Sequence, residues 1–441
     1  MKALLLLGLG LWASAAPISY VLTLKVAEQG TLEGSAQVTF PCPGSSEFVF
    51  RLYPNHFGPF LSVTGAWAEG APASWEALDP TVLVVRAPLP CPQTATLALA
   101  FAGVLPEASH GYGIFWRQER TLTLAQFYPL LAPWDEGWRV HPTFPFGDNL
   151  VAEAADYVLT LNAPVGWIPV GSGEEEELGP GLWRLAGENL RELGLVLVRG
   201  FEEERRALPG VRLRAVFPPG LRLAAERALA IAAEALALFT ARLGPYPYPD
   251  LDLVFVPLVG AAGVEYPRLI LIDWGYAADP ERDFFAEIVA HELAHQWWYG
   301  EVGTDQVAEP WLDEGLATYT SGLYFEARGE LGRLVEAWRA RWAQAKVLFP
   351  RGSVGCALWE FAGSPNARRS YSGYAYSGAA LFLHEVRTLL GDAAFFGALR
   401  RFREEHRWGL AEASQFLALL RAAGGPAQAA LEDLIRKFFG R

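Results

Sequence analysis

The stretch His291–Tyr319, HELAHQWWYGEVGTDQVAEPWLDEGLATY, decides how this 441-residue chain is read. It begins inside a run of apolar residues at helical spacing, so His291 and His295, four apart, present their imidazoles on one face a turn apart. Such a pair suits zinc, which at a catalytic centre takes a third protein ligand and keeps one position open for water. Glu314, in Trp311-Leu312-Asp313-Glu314-Gly315, follows His295 after 18 intervening residues and supplies a carboxylate from the next helix. One zinc ion per chain is therefore expected, held by His291, His295 and Glu314. Glu292, between the two histidines, is placed to take a proton from water and return it to a leaving amine. A developing oxyanion also needs a neutral donor, and on spacing alone Tyr371, Tyr374 and Tyr376 are equally eligible. His56, His110, His141, His384 and His406 have no ligand spacing, and structural or solvent roles are expected for them.

Working outward, the segment before the motif alternates strand and helix. A strand over Val211–Phe217 precedes an Ala/Leu-rich helix over 221–243 that stops at Gly244-Pro245. Buried strands at 251–256 and 269–272 follow, linked by Gly260-Ala261-Ala262-Gly263. After 280 the pattern is helical, over 283–299, 311–328, 330–348, 377–390, 393–406, 412–423 and 427–439. From Ile18 to about Gly200 it is instead period two, as in Tyr20-Val21-Leu22-Thr23-Leu24, with frequent turn residues. Strands first and helices later predict a multidomain chain: an all-β, sandwich-like N-terminal domain, then an α+β catalytic domain with a short helical C-terminal part. The expected division is 1–15, 16–205, 206–328 and 329–441. The acidic run Glu174 to Glu177 reads as a solvated loop.

Residues 1–15 have the order of a signal peptide: Met1-Lys2, an apolar run, then Ala13-Ser14-Ala15. The run is too short to span a bilayer, so export without stable membrane insertion is expected, to the periplasm or the medium. Outside the cytosol Cys42 and Cys91, each between prolines, are the expected disulfide pair, leaving Cys356 alone. The composition, 51% hydrophobic and 19% charged, supports large cores, and a net charge of −13 argues against nucleic-acid partners.

The motif His291 to Tyr319 resembles the zinc signature of the aminopeptidase N family of zinc metallopeptidases. Ala262-Gly263-Val264-Glu265-Tyr266-Pro267 is similar to that family's G-x-M-E-N segment, with Val264 in place of Met. Tyr376-Ser377-Gly378-Ala379-Ala380-Leu381 resembles the segment of its catalytic tyrosine, with Gly378 where Lys is usual. The resemblance implies a thermolysin-like catalytic domain and nominates Tyr376 as the oxyanion donor. It implies that Glu265, with Ala262 and Gly263, binds the substrate's free amine. Leu124-Ala125-Gln126-Phe127-Tyr128 supplies only Gln126 where relatives add an acidic partner, so weaker amine recognition is expected. Many members carry a large helical C-terminal domain, and a chain ending at Arg441 should have a more open site.

Together these readings point to an exported zinc metallopeptidase acting on peptides, releasing N-terminal residues. A zinc endopeptidase or a hydrolase of another small substrate is the alternative on the same site. A peptide-binding module without activity is disfavoured by the intact His291, Glu292, His295 and Glu314.

Overall fold

The computed structural model describes residues 18–87, 93–108 and 110–440. The expected signal peptide and Cys91 therefore lie outside the described residues. Period-two sequence becomes strand wherever one face can be buried. Ser19–Val26 alternates buried and exposed side chains and lies inside an eight-stranded sheet, paired in parallel with Ala155–Asn162 and antiparallel with Thr31–Pro41. Two four-stranded sheets complete the β half, one around Leu195–Val198 and Thr121–Leu124, the other around Glu47–Arg51 and Val82–Arg86. The sandwich-like domain thus has three sheets, and Tyr20 and Tyr157 stack at 4.8 Å in its core.

The run Glu174 to Glu177 is not the expected solvated loop. It forms the edge strand Glu174–Gly179, paired antiparallel with Leu182–Leu190. Four adjacent carboxylates tolerate this because a strand sends them to alternate faces. Glu175 turns inward to accept from Arg214 at 2.7 Å, and Arg214 also binds Asp252.

Sheet membership changes between Val198 and Glu202. The next sheet has five strands in the order Glu202–Leu208, Val211–Phe217, Asp250–Val256, Leu269–Asp273, Gly263–Tyr266. Its three inner strands are parallel and its two edges antiparallel. Helix α1, Arg222–Leu243, makes the crossover between the first parallel pair, burying alanines against the sheet. Helices α2 (Asp283–Ala294), α3 (Pro310–Glu326) and α4 (Leu331–Leu348) follow, and the remainder to Phe439 is mainly helical. Among the described residues no helix is long and apolar enough to cross a membrane.

Helix α2 stops at Ala294, five residues before the expected 299. The turn that replaces it carries Tyr299 at φ 136°, a conformation a non-glycine residue holds only when its surroundings impose it. Arg191 and Glu192 impose it here. The Arg191 guanidinium donates to the Tyr299 carbonyl at 3.3 Å, and the Tyr299 hydroxyl donates to Glu192. The same guanidinium donates to the carbonyls of Ala152, Glu301 and Gly409, so one buried side chain joins the β half to the catalytic half. His141 adds a second tie, its Nε2 lying 2.7 Å from Asp305.

Candidate active site

Helix α2 presents His291 and His295 toward α3, which carries Glu314. The Nε2 atoms of the two histidines are 3.1 Å apart, and His291 Nε2 lies 3.2 Å from Glu314 Oε2. The Nδ1–H of His295 donates to Asp313 Oδ1 at 2.8 Å, which leaves the lone pair of its Nε2 facing Glu314. Gln306 in turn donates to Asp313. Ring nitrogens and a carboxylate oxygen thus converge within 4.8 Å with no proton donor among them that suits all three, a donor set that fits zinc. The charges agree. Burial alone would lower the pKa of His295, but Glu265, Asp313 and Glu314 raise it well above the usual histidine value. Burial would raise Glu314, yet its hydrogen bonds with His291 and His295 hold it far below the usual carboxylate range.

Glu292 lies on α2 between the ligand residues and is buried, and burial followed by the nearby Glu265 pushes its carboxyl well up. Gly263 makes room for it: a Cβ at this glycine would stand 2.5 Å from Glu292 Cγ and 2.6 Å from its Oε1. Gly263 begins the edge strand Gly263–Tyr266, and Glu265 sits within that strand. Carboxylate oxygens of Glu265 and Glu292 and a ring nitrogen of His295 lie within 4.8 Å of one another. Ala262 and Gly263 line the same cavity of about 390 Å³ as the metal donors.

The three tyrosines separate in the structure. Tyr374 donates to the Phe349 carbonyl at 2.9 Å, away from the donors. Tyr376 donates to Glu314 and stacks on His291 at 5.7 Å, while Tyr371 is 3.5 Å from Glu314. The segment Ser372–Gly378 is a π-helical turn rather than ordinary helix, and it delivers Tyr376 to the site. Burial and the Glu314 carboxylate push the Tyr376 hydroxyl well up, so it stays a proton donor at neutral pH.

Gln126 stands apart from the metal donors, on a second cavity that it shares with Glu265. Its backbone is left-handed, φ 53°, and it lines this cavity together with Glu192. Two acidic residues here escaped the sequence reading. Glu192 is buried beside Gln126, and Asp148 lines both cavities, its carboxyl pushed up by burial and by Glu314. Neither belongs to a motif: Arg191-Glu192-Leu193-Gly194 and Phe146-Gly147-Asp148-Asn149 read as connecting turns.

Residues 227–438 match the Peptidase family M1 domain. The chain is 26% identical to aminopeptidase M1-A of Oryza sativa subsp. japonica over 70% of its own length and 37% of the relative's. It is 24% identical to aminopeptidase M1 of Arabidopsis thaliana, over 75% and 39% of the respective lengths. The chain thus spans well under half the length of these curated relatives. The M1 zinc metallopeptidase from Deinococcus radiodurans has a similar structure, with a TM-score of 0.73 and 23% identity, covering 95% of this chain and 94% of that one. A variant of that protein has been solved with a Tyr-Ser-Ala substrate; it covers 97% of this chain and 95% of that one, at 22% identity and a TM-score of 0.72. The family domain thus lies over the very helices that gather His291, His295 and Glu314, and residues 227–438 of this chain form an M1 peptidase domain, the domain of the aminopeptidase N family of zinc metallopeptidases.

Proposed function

We propose that the chain is a zinc aminopeptidase, hydrolysing the first peptide bond of substrates with a free N-terminus. The observation that carries this is the short distance from Glu265 to Glu292, whose carboxylate oxygens lie within 4.8 Å of each other. One residue spans about 3.5 Å of extended chain, so an ammonium held by Glu265 leaves only the first carbonyl beside Glu292. The edge strand Gly263–Tyr266 offers peptide substrate a partner for strand addition. The peptide-bound relative is consistent with such a substrate.

His291, His295 and Glu314 would hold the metal. Bound zinc supplies positive charge that acidifies water and polarises a substrate carbonyl. Glu292 takes the proton from the attacking water and passes it to the leaving nitrogen, its raised pKa suiting it to hold the proton between the two events. Tyr376 donates its hydroxyl proton toward the oxyanion. Glu265 accepts from the α-ammonium, and a charge-assisted bond of this kind contributes about 1.5 to 3 kcal/mol. Gln126 supports the same end of the substrate.

An endopeptidase is the second reading, favoured by the cavity that continues beyond Glu265. Paired free and N-acetylated peptides decide between them. We expect acetylation to abolish most cleavage, and Glu265→Ala to raise KM for free-amine substrates. Internal cleavage of acetylated peptides at the rate of free ones would reject the aminopeptidase.

We also propose that the chain is exported and carries a Cys42–Cys91 disulfide. The support is the signal-like order of residues 1–15 and the Cys42 N–H, which donates at 3.1 Å to the carbonyl of Gln93, two residues from Cys91. Cys356 is buried and free. N-terminal sequencing of exported material and non-reducing peptide mapping test both points; an intact Met1 or two free thiols would refute them.

A further inference from the structure

Beyond Glu265 the cleft continues into a second cavity of about 90 Å³, which shares with the space over the metal donors a wall that includes Tyr112, Phe146 and Glu265. The rest of its lining is rich in aromatic rings, among them Tyr53, Phe57, Phe60 and Phe115. Glu192 lines it too, 3% exposed. One oxygen of Glu192 accepts from the Tyr299 hydroxyl, while Oε2 is buried and has no hydrogen-bond partner. Among the described residues its polar neighbours are neutral donors, Tyr299 and Gln126. Arg191, next in sequence, spends its guanidinium on four backbone carbonyls instead.

A carboxylate withdrawn from water without a cation is costly, and proteins retain one chiefly where something arrives to pair with it. Aromatic walls ending at a free carboxylate oxygen match a side chain with an apolar stem and a cationic head. We propose that this cavity receives the side chain of the substrate's first residue and that Glu192 selects a basic one, arginine or lysine. The inference rests on the aminopeptidase reading. An α-ammonium on Glu265 sits at the wall between the two cavities, so the carbonyl turns toward Glu292 and the side chain, branching from the same carbon, enters the aromatic cavity.

Calorimetric titration of the zinc-loaded Glu292→Gln protein with argininamide and with citrullinamide tests this, because the two differ only in guanidinium against neutral urea. Argininamide is expected to bind at least about tenfold tighter, the effect of a charge-assisted hydrogen bond. Adding Glu192→Gln should bring the ratio toward one. Equal affinities with Glu192 intact would overturn the proposal without requiring any Glu192 variant to fold. A ratio unchanged by Glu192→Gln would overturn it as well, including the case in which both amides weaken together and Glu192 serves the α-amine. Affinity is read without turnover. A preference for argininamide in a wild type that cleaves only internally would therefore support the basic subsite and count against the aminopeptidase reading alone.

Discussion

At the scale of single residues the proposed mechanism separates holding metal from moving protons. Glu292→Gln should keep zinc at one ion per chain, measured by elemental analysis, while turnover falls by about 10² to 10⁴. His295→Ala should lose the metal as well. Gly263→Ala tests the cradle around Glu292. Its methyl would overlap the Glu292 side chain at 2.5 Å, so turnover should drop at unchanged zinc content, with global stability reduced by about 1 to 3 kcal/mol. Glu192 gives a prediction in pH. Burial raises its pKa from the ordinary 4.5 to about 7, so the folded state favours the protonated form. Below the unfolded value both states are protonated and nothing is lost; as pH climbs through the window to 7, folding loses stability. Glu192→Gln should therefore raise the melting temperature at pH 8 and change it little at pH 4.5, the gap corresponding to on the order of 3 kcal/mol. Equal shifts at both pH values would contradict the sign.

At the scale of elements, the helix of His291 and His295 and the strand Val211–Phe217 were legible because a repeated pattern of burial set them. The π-helical turn Ser372–Gly378 was not, because it is made by packing. A Cβ at Gly373 would lie 2.4 Å from Ala345 Cβ on α4, so two backbones touch there and the extra residue of the π turn swings Tyr376 toward Glu314. On spacing alone Tyr371, Tyr374 and Tyr376 were equivalent; the packing of the π turn, which holds the latter two, against α4 sets Tyr376 apart. The early end of α2 has the same origin, since Arg191 and Glu192, about a hundred residues upstream, hold Tyr299 out of the helix. Likewise Glu192 and Asp148 reach the site from connecting turns, where no periodicity marks a residue. Gly373→Ala should press the π turn away from α4, lowering turnover more than tenfold while zinc stays bound, with stability reduced by about 1 to 3 kcal/mol. Normal turnover in that variant would detach Tyr376 from the chemistry.

At the scale of the whole molecule, the metal donors, Glu292, Glu265 and Tyr376 come from the catalytic half, and Gln126 and Glu192 come from the β half, so the cleft depends on how the halves are joined. Arg191→Ala would leave the carbonyls of Ala152, Tyr299, Glu301 and Gly409 without their shared donor, at a cost of about 3 to 5 kcal/mol. Thermal unfolding followed by tryptophan fluorescence and by zinc release should then lose coincidence, and Arg191→Lys should not restore it, because an ammonium cannot span four acceptors. Coincident transitions in Arg191→Ala would show that the halves are joined elsewhere. The same guanidinium also sets an order of events during synthesis. Its partner Gly409 lies 218 residues later in the chain. At about 5 to 20 residues per second, roughly 10 to 45 s pass between the making of Arg191 and the making of its last acceptor. Throughout that interval the guanidinium lacks one of the four acceptors it has in the finished fold, so the seam between the halves is completed only after Gly409 has been made.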